Sequence, residues 1–264
     1  MAGYGQPAPG PGVAAKLAVY RSELLRWQKS FSLVSRVDPE ARIDALIAES
    51  RSALYALTAG GDLGPTDRGE AAPGEFRCVD IGSGAGFPGL VWAVELESVA
   101  PRASVLLVEP REHRAWFLER AIRKLQLGGT GVVQARWGDD EVAGALAFRM
   151  SGGGASPAAG ERGPDGVSRK GPASPFTSVP LVVTLKALRL GDVEILLGID
   201  PAVAPAGTRV HVVRFLPGAT TTGEATESMP RGWKLLRRNQ LDASATGDGT
   251  RELSINTYEA VIAG

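Results

Sequence analysis

Residues 76–89 read FRCVDIGSGAGFPG, and this stretch decides the fold. The apolar segment before the glycines predicts a short buried strand, and the apolar residues 90–96 after them predict a helix. Glycine lets the backbone turn tightly and approach a ligand with no Cβ in the way. The stretch therefore predicts a ligand-binding turn between a strand and a helix, formed by Asp80, Gly82, Ser83, Gly84, Gly86 and Phe87.

The alternation of strand and helix patterns continues after the turn. Residues 103–108 are continuously apolar, as expected of a strand buried on both faces, and Glu109 ends this run. A helical pattern over 111–127 follows, with Trp116, Phe117, Ile122 and Leu125 predicted to point inward. Further strands are predicted over 131–135, 180–185, 208–215, 233–239 and 253–261, and helices over 139–149 and 189–197. This order predicts an α/β fold, with a central, mostly parallel sheet and helices on both faces.

Two further helices are predicted before the turn. Apolar spacing favours a helix from about Val13, and Asp38-Pro39-Glu40 has the pattern of a second helix start. Two segments are rich in Gly, Pro and Ala or Ser, and cannot bury enough apolar surface to become ordered. The predicted organisation is a disordered tail over 1–12, a helical extension and linker over 13–75, and one domain over 76–264 with a low-complexity insertion at 150–178.

The composition excludes several kinds of site. One cysteine and two histidines among 264 residues predict neither a disulfide framework nor a multi-cysteine or histidine-rich metal centre. No apolar run has the length of a membrane span and the first residues lack a signal-peptide pattern, so we expect a cytoplasmic protein. Lys plus Arg and Asp plus Glu number 29 each. A nucleic-acid partner would therefore have to meet a local basic surface.

The turn favours S-adenosylmethionine over NAD as the cofactor. Dinucleotide-binding turns read G-x-G-x-x-G, and here Phe87 stands at the last glycine position. A carboxylate at the end of the second strand, Glu109, can accept hydrogen bonds from both ribose hydroxyls of an adenosine. Asp80, just before the turn, can serve the ammonium end of an amino-acid moiety.

Three segments resemble the glucose-inhibited division protein B family. They read VDIGSGAGFPGL at 79–90, LLVEPREHRAWFLERAIRKLQL at 106–127 and VVQARWGDD at 132–140. The Phe-Pro-Gly after the glycines is more specific than the glycines alone, and residues 24–46 are similar to the helical start of that family. The resemblance covers roughly residues 15–262. It implies a Rossmann-like class I methyltransferase that uses S-adenosylmethionine to methylate N7 of a guanine in 16S ribosomal RNA of the small subunit.

The resemblance also implies roles for residues around the cofactor. Gly82 and Phe87 would lie against its methionine and ribose, and Glu109 would hold the ribose. Trp137 and Gly138 would line the adenine pocket.

At the substrate end, the chain departs from the family pattern. Lys186 stands where the family has an arginine near the methyl-transfer site, Arg214 where it has a lysine, and Leu46 where it has a histidine. Our hypothesis places the cations Lys186, Arg214 and Arg136 together at the substrate end of the pocket. Guanine N7 has a free lone pair and loses no proton on methylation, so no general base is required. Positioning supplies most of the catalysis, and a cation near guanine O6 can bind the base.

The implied partner is small-subunit ribosomal RNA or the 30S particle, with no membrane and with the chain as a monomer. The basic residues of 111–124 are interpreted as a solvated helix face, with phosphate contact as the alternative. Trp27, Trp92 and Trp116 are interpreted as core residues and not as base-stacking platforms. Three other functions stay open: methylation of another RNA site or of a small molecule, non-catalytic RNA binding, and an NAD(P) enzyme.

Overall fold

The computed structural model describes residues 8–59, 75–150, 180–186, 190–200, 204–217, 230–241 and 251–261. The helices are α1 (Pro11–Phe31), α2 (Pro39–Ala59), α3 (Gly89–Val99), α4 (Glu112–Leu125), α5 (Asp140–Met150) and α6 (Asp192–Leu197). The strands are β1 (Glu75–Ile81), β2 (Arg102–Val108), β3 (Thr130–Val133), β4 (Leu181–Leu185), β5 (Arg209–Pro217), β6 (Trp233–Leu241) and β7 (Arg251–Ala260). No helix of these ranges is both long and apolar enough to cross a membrane.

The seven strands form one sheet in the order β3-β2-β1-β4-β5-β7-β6. β1 to β5 are parallel, whereas β7 runs antiparallel to both of its neighbours. The predicted central, mostly parallel sheet is therefore confirmed. The strand order reverses its direction of growth between β1 and β4. In open α/β sheets, ligands bind in the crevice outside the carboxyl ends of the strands at such a reversal.

Alternating side chains give the sheet two apolar faces. On β1, Cys78 points into one hydrophobic cluster and Val79 into the other, and Val182 and Val183 divide in the same way on β4. The first cluster is covered by α1 to α4, and the second by α5 and α6. Both faces are thus buried, which explains the continuously apolar strands that the sequence shows.

The helical extension shares the first of these clusters. Tyr20 and Leu24 of α1, and Ile43 and Leu57 of α2, are fully buried within it. The indole N–H of Trp92 on α3 donates a hydrogen bond of 2.7 Å to the backbone oxygen of Ser50 on α2. The extension therefore packs against the sheet domain as part of one core.

The predicted start of the second helix is confirmed in its capping chemistry. Pro39 is the first residue of α2, and Asp38 Oδ1 accepts a hydrogen bond of 3.1 Å from the backbone N–H of Ala41. A short polar side chain at this position satisfies a backbone donor that the helix itself leaves unpaired.

One predicted core position is wrong, and several element ends differ. Trp116 was expected to point inward, but it is 39% exposed because it lies at the surface between α1 and α4, with its ring edge-on against Trp27 and Phe31. Helix α6 begins at Asp192, three residues later than predicted, and α1 begins two residues earlier, at Pro11. The tail over 1–7, and all of the predicted insertion after its first residue, lie outside the described residues.

Candidate active site

The glycine turn between β1 and α3 lies at the reversal point of the sheet. Gly82, Gly84 and Gly86 all have positive φ, at 71°, 59° and 102°, which is the region where a Cβ is unfavourable. The backbone N–H groups of Gly82 and Ser83 donate hydrogen bonds of 2.8 and 3.1 Å to the carbonyl oxygen of Val108 at the end of β2. The Ser83 hydroxyl donates to the backbone oxygen of Asp80 at 2.8 Å. These bonds hold the turn in one shape.

Two of the glycines have opposite surroundings. Gly84 is partly exposed, and a Cβ on it would lie 3.7 Å from Nη1 of Arg114, an ordinary van der Waals distance. A Cβ on Gly86 would lie 2.8 Å from the Tyr20 hydroxyl oxygen and 2.9 Å from Cβ of Leu90. Gly84 therefore lies on the exposed side of the turn, and Gly86 lets the turn pack against α1 and α3.

Glu109 connects the end of β2 to the exposed side of the turn. Its Oε2 accepts a hydrogen bond of 2.8 Å from the backbone N–H of Gly84, and its Oε1 accepts one of 2.9 Å from that of Arg111. The residue is 3% exposed. A carboxylate has about four acceptor positions, so two backbone donors leave capacity for two hydroxyl groups. The predicted neighbourhood of Glu109 and the glycines is therefore present in the structure.

Asp80 lies behind the turn and is 1% exposed. Its Oδ1 accepts a hydrogen bond of 2.7 Å from the Thr184 hydroxyl, and its Oδ2 accepts one of 3.1 Å from the backbone N–H of Gly89. Burial raises the pKa of this carboxyl to about 6, against the opposing effect of the bonds from Thr184 and Gly89. Asp80 thus links the turn to β4, and its contact with an ammonium group stays a prediction.

Phe87 completes the turn from the side of the helical extension. Its ring is 5.6 Å from that of Tyr20, centre to centre, and the side chain is 6% exposed. The Tyr20 hydroxyl donates a hydrogen bond of 2.5 Å to the backbone oxygen of Ala85. Phe87 is therefore packed within the core while it adjoins the site. Its predicted contact with the cofactor stays a prediction.

The predicted adenine-pocket residues follow β3 at the same edge of the sheet. Trp137 is half-buried, and its Nε1–H donates a hydrogen bond of 3.2 Å to the backbone oxygen of Ile195 on α6. Gly138 has a φ of 98°, and a Cβ there would have no atom within 4 Å. Arg136 is exposed, and its backbone N–H donates to Asp139 Oδ2 at 2.7 Å.

Lys186 directly follows β4 and is held by the helical extension. Its Nζ donates a hydrogen bond of 2.8 Å to Oε2 of Glu49 on α2, with the two side chains 9% and 0% exposed. The same nitrogen lies 5.8 Å from the ring centre of Phe87 and 5.0 Å from that of Phe215. The cation therefore adjoins the glycine turn on the face that α1 to α4 cover.

Arg214 on β5 is engaged by α6 on the other face of the sheet. Its Nε donates a hydrogen bond of 2.8 Å to Asp192 Oδ1, and its Nη1 donates one of 2.6 Å to the backbone oxygen of Leu190. Asp192 also accepts bonds from Asn256 and Tyr258. Burial alone would raise the pKa of Asp192, but Arg214 and these two hydrogen bonds outweigh it and lower the pKa.

The structure does not gather the three predicted cations into one group. Lys186 belongs to the face with Phe87, whereas Arg214 belongs to the face with Asp192. Arg136 follows β3, which is four strands from β5, a separation of about 19 Å at the usual spacing of strands. Lys186 alone of the three contacts a residue of the glycine turn within the described part of the chain.

Two carboxylates that hold these cations were not predicted from the sequence. Glu49 follows Leu46 by three residues and precedes Ala53 by four, and all three are buried on α2. A charged residue on the apolar side of a helix is a usable signal, because such groups are almost never buried without a partner. Asp192 carries no comparable signal, since an acidic residue at a helix start is common for capping reasons alone.

The topology and the turn define the class of the protein. A parallel sheet that reverses between β1 and β4, with a glycine turn on one side of the reversal, is the Rossmann-like class I methyltransferase fold that the resemblance implies.

The chain belongs to the rRNA small subunit methyltransferase G family, whose model matches residues 13–148. Relatives that carry this name include one from Nitratidesulfovibrio vulgaris, 34% identical over 48% of this chain and 52% of that protein. A relative from Salinispora arenicola is 36% identical over 60% and 50%, and one from Granulibacter bethesdensis is 39% identical over 41% and 42%. The matches thus span about half the length of these relatives.

Proposed function

We propose that the chain transfers a methyl group from S-adenosylmethionine to N7 of a guanine in 16S ribosomal RNA of the small ribosomal subunit. The observation that carries the proposal is the hydrogen bond between Glu109 and the backbone N–H of Gly84. It joins a nearly buried carboxylate to the exposed side of a glycine turn at the reversal point of the sheet. Membership in the methyltransferase G family supports the reaction and the substrate.

The residues present fit the adenosyl cofactor. Glu109 keeps acceptor capacity for the ribose hydroxyls, and Gly84, which it contacts, is partly exposed. Trp137 and Gly138 follow β3 at the same edge of the sheet, where they would border the adenine. When bound, the cofactor supplies a methyl group that its sulfonium charge already activates.

The chain's own contribution is to bind and orient the base. No proton leaves guanine N7, so the reaction needs no general base, and well-oriented reactants gain about 10⁵–10⁸ M in effective molarity. Lys186 adjoins the glycine turn with its ammonium group, and a cation there would donate a hydrogen bond to guanine O6. The ring of Phe87, which neighbours Lys186, would border the base.

Arg136, in the segment after β3, and Arg214, within β5, are included in the proposal as substrate contacts. Because Asp192 already binds Arg214, we expect Arg214 to position the α6 side of the site. Each of Lys186, Arg136 and Arg214 is replaced by alanine, and methyl incorporation into ribosomal RNA is measured. Unchanged rates in all three variants would refute their assignment.

The test of the function is a methylation assay with purified small ribosomal subunits and labelled S-adenosylmethionine. We expect label in the RNA, and primer extension after cleavage at the modified base should locate one guanine. Naked 16S RNA serves as the second substrate. Label in another RNA would favour a methyltransferase for a different site. No label in any RNA, while the cofactor still binds, would favour a non-catalytic RNA-binding protein. A cytoplasmic location follows from this substrate, whereas the monomeric state stays a prediction.

A further inference from the structure

Four aromatic side chains meet at the surface between α1 and α4, and we call them the aromatic patch: Trp27, Phe31, His113 and Trp116. The rings of Trp27 and Phe31 are stacked at 5.3 Å, and those of Phe31 and His113 at 5.4 Å. Trp116 contacts Trp27 and Phe31 edge-on, at 5.0 and 5.5 Å. Trp116 is 39% exposed and His113 is also exposed, so the patch presents ring surface to solvent.

Cations surround the aromatic patch. The Arg26 guanidinium lies 5.6 Å from the ring centre of Trp27, and that of Arg120 lies 5.4 Å from it. Residues 23–31 and 111–125 together hold seven Lys or Arg and three Glu, whereas the whole chain is balanced at 29 each. The side chain of Glu23 is nearly buried, at 4% exposure, and forms ion pairs with Arg120 and Lys124. The surface around the rings is therefore locally positive.

The patch adjoins the candidate active site. Nη2 of Arg114 donates a hydrogen bond of 3.3 Å to the backbone oxygen of Ser32, the residue that follows α1. Nη1 of the same guanidinium lies 3.7 Å from the position of a Cβ on Gly84. Arg114, which follows His113 of the patch directly in the sequence, thus connects the patch to the glycine turn.

We infer that the aromatic patch is a docking surface for an unpaired segment of the substrate RNA. Bases would stack on the exposed faces of Trp116 and His113, while Arg26, Lys29 and Arg123 contact phosphates. Aromatic rings surrounded by cations are suited to bind single-stranded nucleic acid, because every base has a face that can stack and every phosphate carries a negative charge. The inference rests on the proposed function for the identity of the RNA. A protein partner is the less favoured occupant, since cations outnumber acidic residues by seven to three in the two segments that form the patch.

Base stacking is tested with the variants Trp116→Leu and Trp116→Phe. The control is Leu236→Ala on β6, because Leu236 is 40% exposed and Trp116 is 39% exposed. The probes are 16S RNA extracted from small subunits and an unpaired 20-nucleotide RNA, titrated by fluorescence anisotropy. We expect Trp116→Leu to weaken RNA binding about tenfold, from the loss of one stacked base. Trp116→Phe, which keeps an aromatic face, and Leu236→Ala should stay within about twofold. Circular dichroism confirms that each variant is folded.

Charge is tested through the salt dependence of binding. Arg26→Gln and Arg123→Gln should each reduce the slope of log affinity against log salt by about 0.7, the value for one phosphate contact on a single strand. Arg102→Gln is the matched control, because Arg102 is exposed at the start of β2, at the opposite edge of the sheet from the glycine turn.

The outcomes separate this inference from the proposed function. If Trp116→Leu binds RNA as the wild type does, the docking surface is refuted, even where methyl transfer proceeds. If the variant loses RNA affinity but the wild type transfers no methyl group, the surface stands and the proposed function fails. A loss of binding to intact subunits with unchanged binding to naked RNA would overturn the inference in favour of a protein partner. Calorimetry should show equal S-adenosylmethionine affinity in every variant.

Discussion

The carboxyl edge of the sheet has two halves that are ordered in different ways. Around β1 and β2, the turn is held by backbone groups and by a carboxylate 25 residues from the glycine that it binds. Around β4 and β5, two cations are held by carboxylates of distant helices, 137 residues away for Lys186 and 22 for Arg214. The first half is encoded in short motifs, whereas the second depends on how the helices pack. We call them the turn half and the cation half.

The largest effect is expected in the cation half, from Glu49→Gln. Glu49 is fully buried against Lys186, so the change removes the carboxylate that pairs with this nearly buried cation. The free energy of unfolding should fall by about 3 to 5 kcal/mol, measured by urea denaturation.

Two control variants sharpen this result. Glu97→Gln removes the partner of Lys16 at the surface, where the side chains are 43% and 29% exposed, and should cost about 0 to 1 kcal/mol. The double variant Glu49→Gln with Lys186→Met should recover most of the loss, because both charges of the pair are removed together. A double variant as unstable as the single one would show that packing, and not charge, sets the cost.

The turn half should respond nearly as strongly to Gly86→Ala. Its φ of 102° and the Tyr20 oxygen 2.8 Å from the new Cβ oppose any side chain. We expect a loss of about 2 to 4 kcal/mol in the free energy of unfolding, from overpacking and backbone strain together. Gly144→Ala is the control, since Gly144 lies in α5 with open space around it and should gain about 0.5 to 1 kcal/mol. Equal effects would contradict the described surroundings of Gly86.

Asp80 touches both halves, and its titration gives the third prediction. Its pKa of about 6 exceeds the ordinary 3.8, so the fold favours the protonated carboxyl. The protonated carboxyl therefore stabilises the fold fully below about pH 4. As the pH rises from about 4 to 6, the free energy of unfolding of the wild type should fall by about 2 to 3 kcal/mol. Asp80→Asn does not titrate. The stability difference, variant minus wild type, should therefore rise by that amount between pH 4 and 7 in denaturation experiments.

The same carboxyl can report on cofactor binding. If Asp80 serves the ammonium group, bound S-adenosylmethionine lowers its pKa and protons are released near pH 6. Calorimetry in two buffers of different ionisation heat measures this release. No release in the wild type, with normal affinity, would limit Asp80 to its structural bonds with Thr184 and Gly89.

The smallest effect is expected from Glu109→Gln, within the turn half. The amide keeps one acceptor oxygen but turns an N–H towards either Gly84 or Arg111, whose N–H groups both point at the carboxylate. We expect S-adenosylmethionine affinity to fall about tenfold to a hundredfold, as for lost hydrogen bonds to a charged group. Glu112→Gln, at an exposed acid three residues further, should bind normally. Unchanged affinity in Glu109→Gln would remove the ribose contact from the proposal.

The two halves also differ in how far the sequence predicted them. The glycine turn and Glu109 could be predicted, because spacing and strand ends determine where they lie. The separation of Lys186 from Arg214 could not, since it depends on which carboxylate each cation meets across the fold. The wrong prediction for Trp116 has a related cause: helical periodicity indicates an apolar face, but a neighbouring helix can leave that ring partly exposed.

Gly198, at the end of α6, places a constraint on related sequences. A Cβ there would lie 2.3 Å from the indole nitrogen of Trp137, so the ring in this position excludes any side chain at residue 198. Homologues with a side chain at the position of Gly198 are therefore expected to carry a smaller residue in place of Trp137, or to hold its ring in another position. The α6 end of the sheet would in this way restrict which residues can follow β3.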